Sequence, residues 1–147
     1  MGNVGDDNLK GGRDDDSLHS GQGRDELSGG DGDDDLHGGS AADELHGGRG
    51  ADTFFIASPA EGGDTIFDFR PGDDLITLDV DAPAVQVAFV GFEDGVDTVP
   101  APGAALIYSD ATGLLSWDPT GGSASDQVLV ANLIGSPGLE RADVLLV

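Results

Sequence analysis

Cysteine is absent from the 147 residues, which excludes disulfides and zinc–thiolate centres. Basic residues are scarce: six Lys and Arg stand against 29 Asp and Glu, a formal charge of −23. Such a chain has no basic face for nucleic-acid phosphate and no attraction to an anionic membrane surface. No apolar run approaches the ~18 residues that a membrane-spanning helix needs, so no membrane insertion is expected. The opening MGNVGDDNLK has no apolar core of the kind a cleavable leader carries, so none is expected. H-E-x-x-H and G-x-S-x-G are both missing. No isolated pair of acids suits glycoside hydrolysis. The expectation is therefore a chain that is not an enzyme.

What is present is aspartate and glycine in step. Leu9, Leu18, Leu27, Leu36, Leu45 and Phe54 recur every ninth residue, and Asp7, Asp16, Asp25, Asp34, Asp43 and Asp52 each stand two residues earlier. The units are GNVGDDNLK, GGRDDDSLH, SGQGRDELS, GGDGDDDLH, GGSAADELH and GGRGADTFF. A flexible linker has no reason to hold this phase. Asp31–Asp35 lacks the Gly and Glu positions of an EF-hand loop.

Each unit predicts a glycine-rich turn over its first six positions and a short strand over the last three, with one inward apolar side chain. Nine residues are too few for a helix and a turn. They suit half a winding of a coil, with successive strands on opposite walls and equivalent positions about 4.8 Å apart along a wall. Carboxylates would then form ladders that repel without counter-ions. Oxygen-rich acids of this kind point to a hard divalent cation, whose binding becomes folding energy where the unfolded chain has no site.

These units resemble the G-G-x-G-x-D-x-U-x nonapeptides of the RTX proteins. The resemblance implies an all-β fold: a right-handed parallel β-roll of calcium-binding nonapeptide repeats with a C-terminal β-rich capping flank. It implies calcium, about four to six ions, between successive turns of one wall. One turn offers the carbonyls of positions two and four plus its Asp, and the turn two units later those of positions one and three plus its Asp. Carried onto this chain, the first set is Asn3, Gly5 and Asp7 with Ser20, Gln22 and Asp25. The second is Gly12, Asp14 and Asp16 with Gly29, Asp31 and Asp34. Gly21, Gly23 and Asp25 face Gly38, Ser40 and Asp43 in the third; Gly30, Gly32 and Asp34 face Gly47, Arg49 and Asp52 in the fourth. Asp25 and Asp34 would each bridge two ions. Asn3, Asp14, Ser20 and Ala41 replace glycines of the pattern, where a positive φ is harder to adopt.

The likeness continues in Gly62-Gly63-Asp64-Thr65-Ile66-Phe67-Asp68-Phe69 and Pro71-Gly72-Asp73-Asp74-Leu75-Ile76-Thr77-Leu78, which resemble the family's cap. Asp64 is expected to serve Gly39, Ala41 and Asp43. Asp73 or Asp74 is expected to close on Gly48, Gly50 and Asp52, with Asp68 a further candidate ligand.

Residues 83–147 hold only Glu93, Glu140 and Arg141 among Lys, Arg and Glu, and read as strands at Val85–Val90, Ala104–Tyr108, Leu114–Trp117 and Gln127–Leu133. Their job is to cover an open edge of the roll. Phe92, Tyr108 and Trp117 are expected in its core. The resemblance divides the chain into a roll at 1–56, a cap at 57–82 and a flank at 83–147. Its last residues, 142–147, resemble a type I secretion signal or else form a final strand. His19, His37 and His46 are expected as solvated strand-end residues, with His19 and His37 on one wall and able to stack.

The family thus implies a secreted, extracellular bacterial module. It would pass a type I exporter unfolded at submicromolar calcium and fold outside at roughly millimolar calcium. The partners implied are calcium, the exporter and an upstream enzyme domain such as a protease, lipase or alginate epimerase. The alternative is a calcium-dependent carbohydrate-binding or adhesive module. The outward positions Val4, Arg13, Gln22, Asp31, Ser40 and Arg49 offer an acidic polymer only two arginines, and form no Thr or Asn ladder for ice.

Overall fold

A computed structural model of the chain describes residues 2–58, 63–80, 90–91, 105–109, 111–119, 127–135 and 138–147. Six strands wind through the repeats: β1 (Asn8–Arg13), β2 (Ser17–Gln22), β3 (Glu26–Asp31), β4 (Asp35–Ser40), β5 (Glu44–Arg49) and β6 (Thr53–Ile56). Next come β7 (Asp64–Ile66), β8 (Leu75–Leu78), β9 (Val90–Gly91), β10 (Ala105–Ser109), β11 (Leu114–Asp118), β12 (Val128–Leu133) and, after a 3-10 turn at Arg141–Asp143, β13 (Val144–Leu146). Two sheets result, ordered β1-β3-β5-β7-β12-β11-β10-β9 and β2-β4-β6-β8-β13. Odd and even units therefore occupy opposite walls, as a half-winding of nine residues requires.

Register follows the apolar residue. Leu9 faces Leu27, Leu27 faces Leu45, and Leu45 faces Ile66 on one wall. Leu18, Leu36, Phe54 and Ile76 align in the same way on the other. The parallel ladder stacks them into one core with Leu106, Tyr108, Leu115, Trp117, Val130 and Leu133. Leu9, in the end unit, is only partly buried.

The strands differ from expectation in length. Those of the repeats run for six residues from β1 to β5 and cross from one unit into the next. Alternation explains this: in β3 both Leu27 and Gly29 point inward, two residues apart. The glycine pair thus continues the ladder, with Gly12 paired to Gly30 and Gly30 to Gly48. Ser20, at the position other units give to glycine, is buried and donates its hydroxyl to the Gly38 carbonyl at 2.5 Å. Of the four glycine replacements, Asp14 (φ 70) and Ala41 (φ 89) adopt the left-handed conformation. At Ala41 this costs on the order of 1–2 kcal/mol, because no polar side chain compensates.

The flank divides between the two sheets. β10, β11 and β12 are antiparallel neighbours, and β12 runs parallel to β7, with Ala131 opposite Asp64. The tail does not close the flank. β13 runs parallel to β8, with Val144 opposite Ile76, and so ends the other sheet. The expected strands at 104–108, 114–117 and 127–133 appear within a residue of those bounds, and Tyr108 and Trp117 are buried. Phe92, Gly62 and the expected strand at 85–90 short of Val90 lie outside the described residues.

Candidate metal centre

Stacking the turns places the repeat aspartates in two columns, Asp7–Asp25–Asp43–Asp64 and Asp16–Asp34–Asp52–Asp74. Within each, one rule repeats: the backbone N–H of an Asp donates to Oδ1 of the Asp one turn later. The distances are 2.8, 2.8 and 3.0 Å in the first column and 2.8, 3.1 and 3.1 Å in the second. These bonds aim each carboxylate along the column. They also decide between Asp73 and Asp74: Asp74 is buried in the column, whereas Asp73 is exposed. Asp68 stands beside the column and accepts from the N–H groups of Gly47 (2.9 Å) and Gly48 (3.0 Å).

The second carboxylate oxygen matters most. Oδ2 of Asp25, Asp34, Asp43 and Asp52 is buried and accepts no hydrogen bond. Leaving such a group unpartnered costs about 1–3 kcal/mol, more if charged. A Cβ built on Gly11 would lie 2.6 Å from Oδ2 of Asp16 and 2.7 Å from the Gly29 carbonyl. Built on Gly29, Gly38 or Gly47, it would overlap Oδ2 of Asp34, Asp43 or Asp52. Position one is thus kept small beside an inward carboxylate and the carbonyl of the turn above.

The other expected donors line the same gaps. The carbonyls of Asn3, Gly12, Gly21 and Gly30 abut Gly21, Gly30, Gly39 and Gly48 one turn on. Those of Gly5, Asp14 and Gly32 abut Gly23, Gly32 and Gly50. Position-three carbonyls of Gln22, Ser40 and Arg49 accept from the N–H of Gly5 (2.7 Å), Gly23 (3.3 Å) and Gly32 (2.8 Å). Each retains a second lone pair. Among the described residues no three His, Cys, Asp or Glu side chains converge as a metal group. The donor set is instead two carboxylates with backbone carbonyls, all oxygen. Such a set fits calcium, a hard cation that takes six to eight oxygens.

Electrostatics agree with the geometry. Burial pushes Asp43 and Asp52 up to about 6 and Asp64 up to about 7 from an ordinary 3.8, with repulsion from neighbouring column acids adding to the rise. Burial raises Asp34 and Asp74 likewise. A raised carboxyl pKa means that the metal-free fold holds protons the unfolded chain releases. That stability is fully present below about 4 and is lost as pH climbs through about 6 to 7. In EGTA, β circular dichroism should therefore increase as pH is lowered from about 8 to about 5. The affinity of the folded roll for calcium should weaken over the same range, because protons and cation compete for one set of oxygens. A calcium affinity that does not change with pH would contradict this assignment.

Two features escape the repeat pattern. An outer ladder runs beside the columns, where Asp6, Asp15 and Asp33 accept from the N–H of Arg24 (2.9 Å), Asp33 (2.9 Å) and Ala51 (2.8 Å). The histidines are also not simply solvated. His19 stacks on His37 at 3.9 Å, His37 on Phe55 at 4.0 Å, and His46 on Phe67 at 4.5 Å between ring centroids. Burial, then the neighbouring His19, lowers the His37 pKa. The signal in sequence was an aromatic at position nine of unit six, Phe55, in line with His19 and His37.

A parallel β-roll whose turns stack buried carboxylates and carbonyls defines a class of repeat protein that binds cations between its turns. The model of the RTX calcium-binding nonapeptide repeat matches residues 1–36 and 28–55, in 4 copies. A solution structure of the AlgE6R3 subunit of the Azotobacter vinelandii mannuronan C5-epimerase is similar at 30% identity, covering 99% of this chain and 80% of that one with a TM-score of 0.64. The AlgE6R2 subunit of the same epimerase shares the fold, with 24% identity, 95% and 91% coverage and a TM-score of 0.54. No curated protein matches the chain. The chain belongs to the RTX calcium-binding nonapeptide repeat family, and its repeat module is a calcium-binding domain.

Proposed function

We propose that this chain is a calcium-triggered folding module of a secreted bacterial protein. One observation carries the proposal: four buried Asp Oδ2 atoms accept no hydrogen bond, in columns where like charges stack. Without cations the columns oppose the fold, and the −23 chain repels itself. The Asp carboxylates and the carbonyls of positions one to four hold calcium between successive turns, in the first five of the sets given above. Asp64 closes the first column and Asp74 ends the second. Binding at one gap orders a turn that the next gap shares, so folding is cooperative between neighbours.

Residues 1–56 act as the roll, 57–82 as its cap and 83–147 as the flank. Val144–Leu146 serve twice in this scheme, as part of an export address in the unfolded chain and as strand β13 after folding. The type I exporter receives an extended chain at low cytosolic calcium, and the roll closes outside.

The likeness to an epimerase subunit supports a second reading, a module that accompanies an enzyme of mannuronan and meets that polymer. Charge disfavours direct capture of a polyanion. Of the two outward arginines, Arg49 lies 3.5 Å from Asp31.

Titrating the EGTA-stripped chain with calcium tests the folding role. Far-UV circular dichroism should report a disordered chain below about 1 µM free calcium and a folded one near 1 mM, the range of extracellular sites. A roll already formed in EGTA at neutral pH would refute the switch.

A further inference from the structure

The last gap of the second column is built differently from the rest. It lies between the turn of Gly48, Gly50 and Asp52 and the added acid Asp74. Arg70 enters it. Its Nη2 donates to the Gly50 carbonyl at 2.7 Å and stands 3.6 Å from Oδ2 of Asp52 and 3.7 Å from Oδ1 of Asp74. Both carboxylate side chains are buried, at 0% and 1% exposure. Gly50 occupies position four, whose carbonyl in the other gaps is a candidate ligand. Asp74 is also committed elsewhere: its Oδ2 accepts the Arg70 backbone N–H at 2.7 Å. Among the described residues no ion pair reaches Asp25, Asp34 or Asp43.

We propose that the Arg70 guanidinium is a resident cation that takes the place of calcium in this gap, so that the second column ends on a protein charge. The inference rests on the calcium-site reading of the other gaps. A guanidinium stays charged at any physiological pH and presents several donors in one plane, which suits a carbonyl and two carboxylates at once. Its side chain is tethered to the loop it neutralises, so no free ion has to be captured there. That loop is itself anchored. Asp73 and Asp74 donate N–H groups to the Arg70 carbonyl at 3.1 and 2.9 Å. Gly72 donates to Oδ1 of the buried Asp143 at 2.9 Å, just ahead of β13. Cap and tail thus meet around a charge that does not depend on calcium. This end of the roll keeps its neutralised edge at low calcium and offers the first template for the turns that need ions.

The test locates ions in the whole chain. In crystals grown with calcium, anomalous difference density should mark other gaps of the columns and be absent between Gly50 and Asp74, where the guanidinium remains. An ion in that gap, with Arg70 displaced, would overturn the proposal. Density in no gap would instead refute the calcium sites themselves. Native mass spectrometry supplies the second arm. Arg70→Gln should bind one more calcium ion than the unaltered chain and require more calcium to fold, whereas Arg70→Lys should keep the original count. Equal counts for Arg70→Gln and the unaltered chain would also overturn the resident-cation role.

Discussion

Asp34→Ala should remove about two calcium ions from the saturated chain, where a typical single-site change removes one. Asp34 is the later acid of the gap that begins at Asp16 and the earlier acid of the gap that ends at Asp52. Its Oδ1 accepts the Asp16 N–H at 2.8 Å, and its own N–H donates to Asp52 at 3.1 Å. Its Oδ2 is buried without a hydrogen bond. Alanine deletes a carboxylate from both gaps and strips the Asp16 N–H of its acceptor, which adds about 1–3 kcal/mol of destabilisation. Asp7→Ala, at the open end of the first column, touches one gap and should cost one ion. Native mass spectrometry or calorimetric stoichiometry checks both. A full ion count in Asp34→Ala would contradict the bridging role.

Phe54→Ala should weaken the fold by about 3–5 kcal/mol and leave the ion count at saturation unchanged. Phe54 is fully buried, sits in register between Leu36 and Ile76, and packs at 6.0 Å on the Phe69 ring. Truncation leaves a cavity in the middle of a stack that cannot collapse without breaking the ladder. That loss is a large part of the 5–15 kcal/mol that holds a typical domain together. Because calcium binds only the folded roll, the calcium midpoint should move upward. Calcium titrations followed by circular dichroism and urea unfolding at saturating calcium check the two halves. A reduced ion count would mean that core and sites are not separable.

Together the two variants divide the roles within one repeat. The residue at position eight supplies apolar contact, and the Asp two residues earlier supplies charge to be neutralised. Asp31 and Arg49 at position three remain outside, exposed.

Much of this was legible without coordinates. A strict period of nine can only alternate walls, so the 18-residue register of Leu27 with Leu45 and of Asp25 with Asp43 follows from counting. The inward Leu series followed from the same periodicity. Strand length is not legible in the repeat, because glycine reads as a turn former whereas Gly29 lies inside a strand beside Asp34. Past residue 56 the period fails: the next column members are 21 and 22 residues on, not 18. Counting could not choose Asp74 over Asp73, because loop length there has no repeat to set it.

By itself the sequence determined the winding, the identity of the core residues and the two aspartate columns, because each depends only on a local pattern repeated at constant spacing. The tertiary structure alone decided that β13 joins β8, that His19 and His37 continue onto Phe55, and that Arg70 enters the final gap beside Asp52 and Asp74. Those contacts join segments whose separation follows no period, so they exist only once the chain has closed on itself.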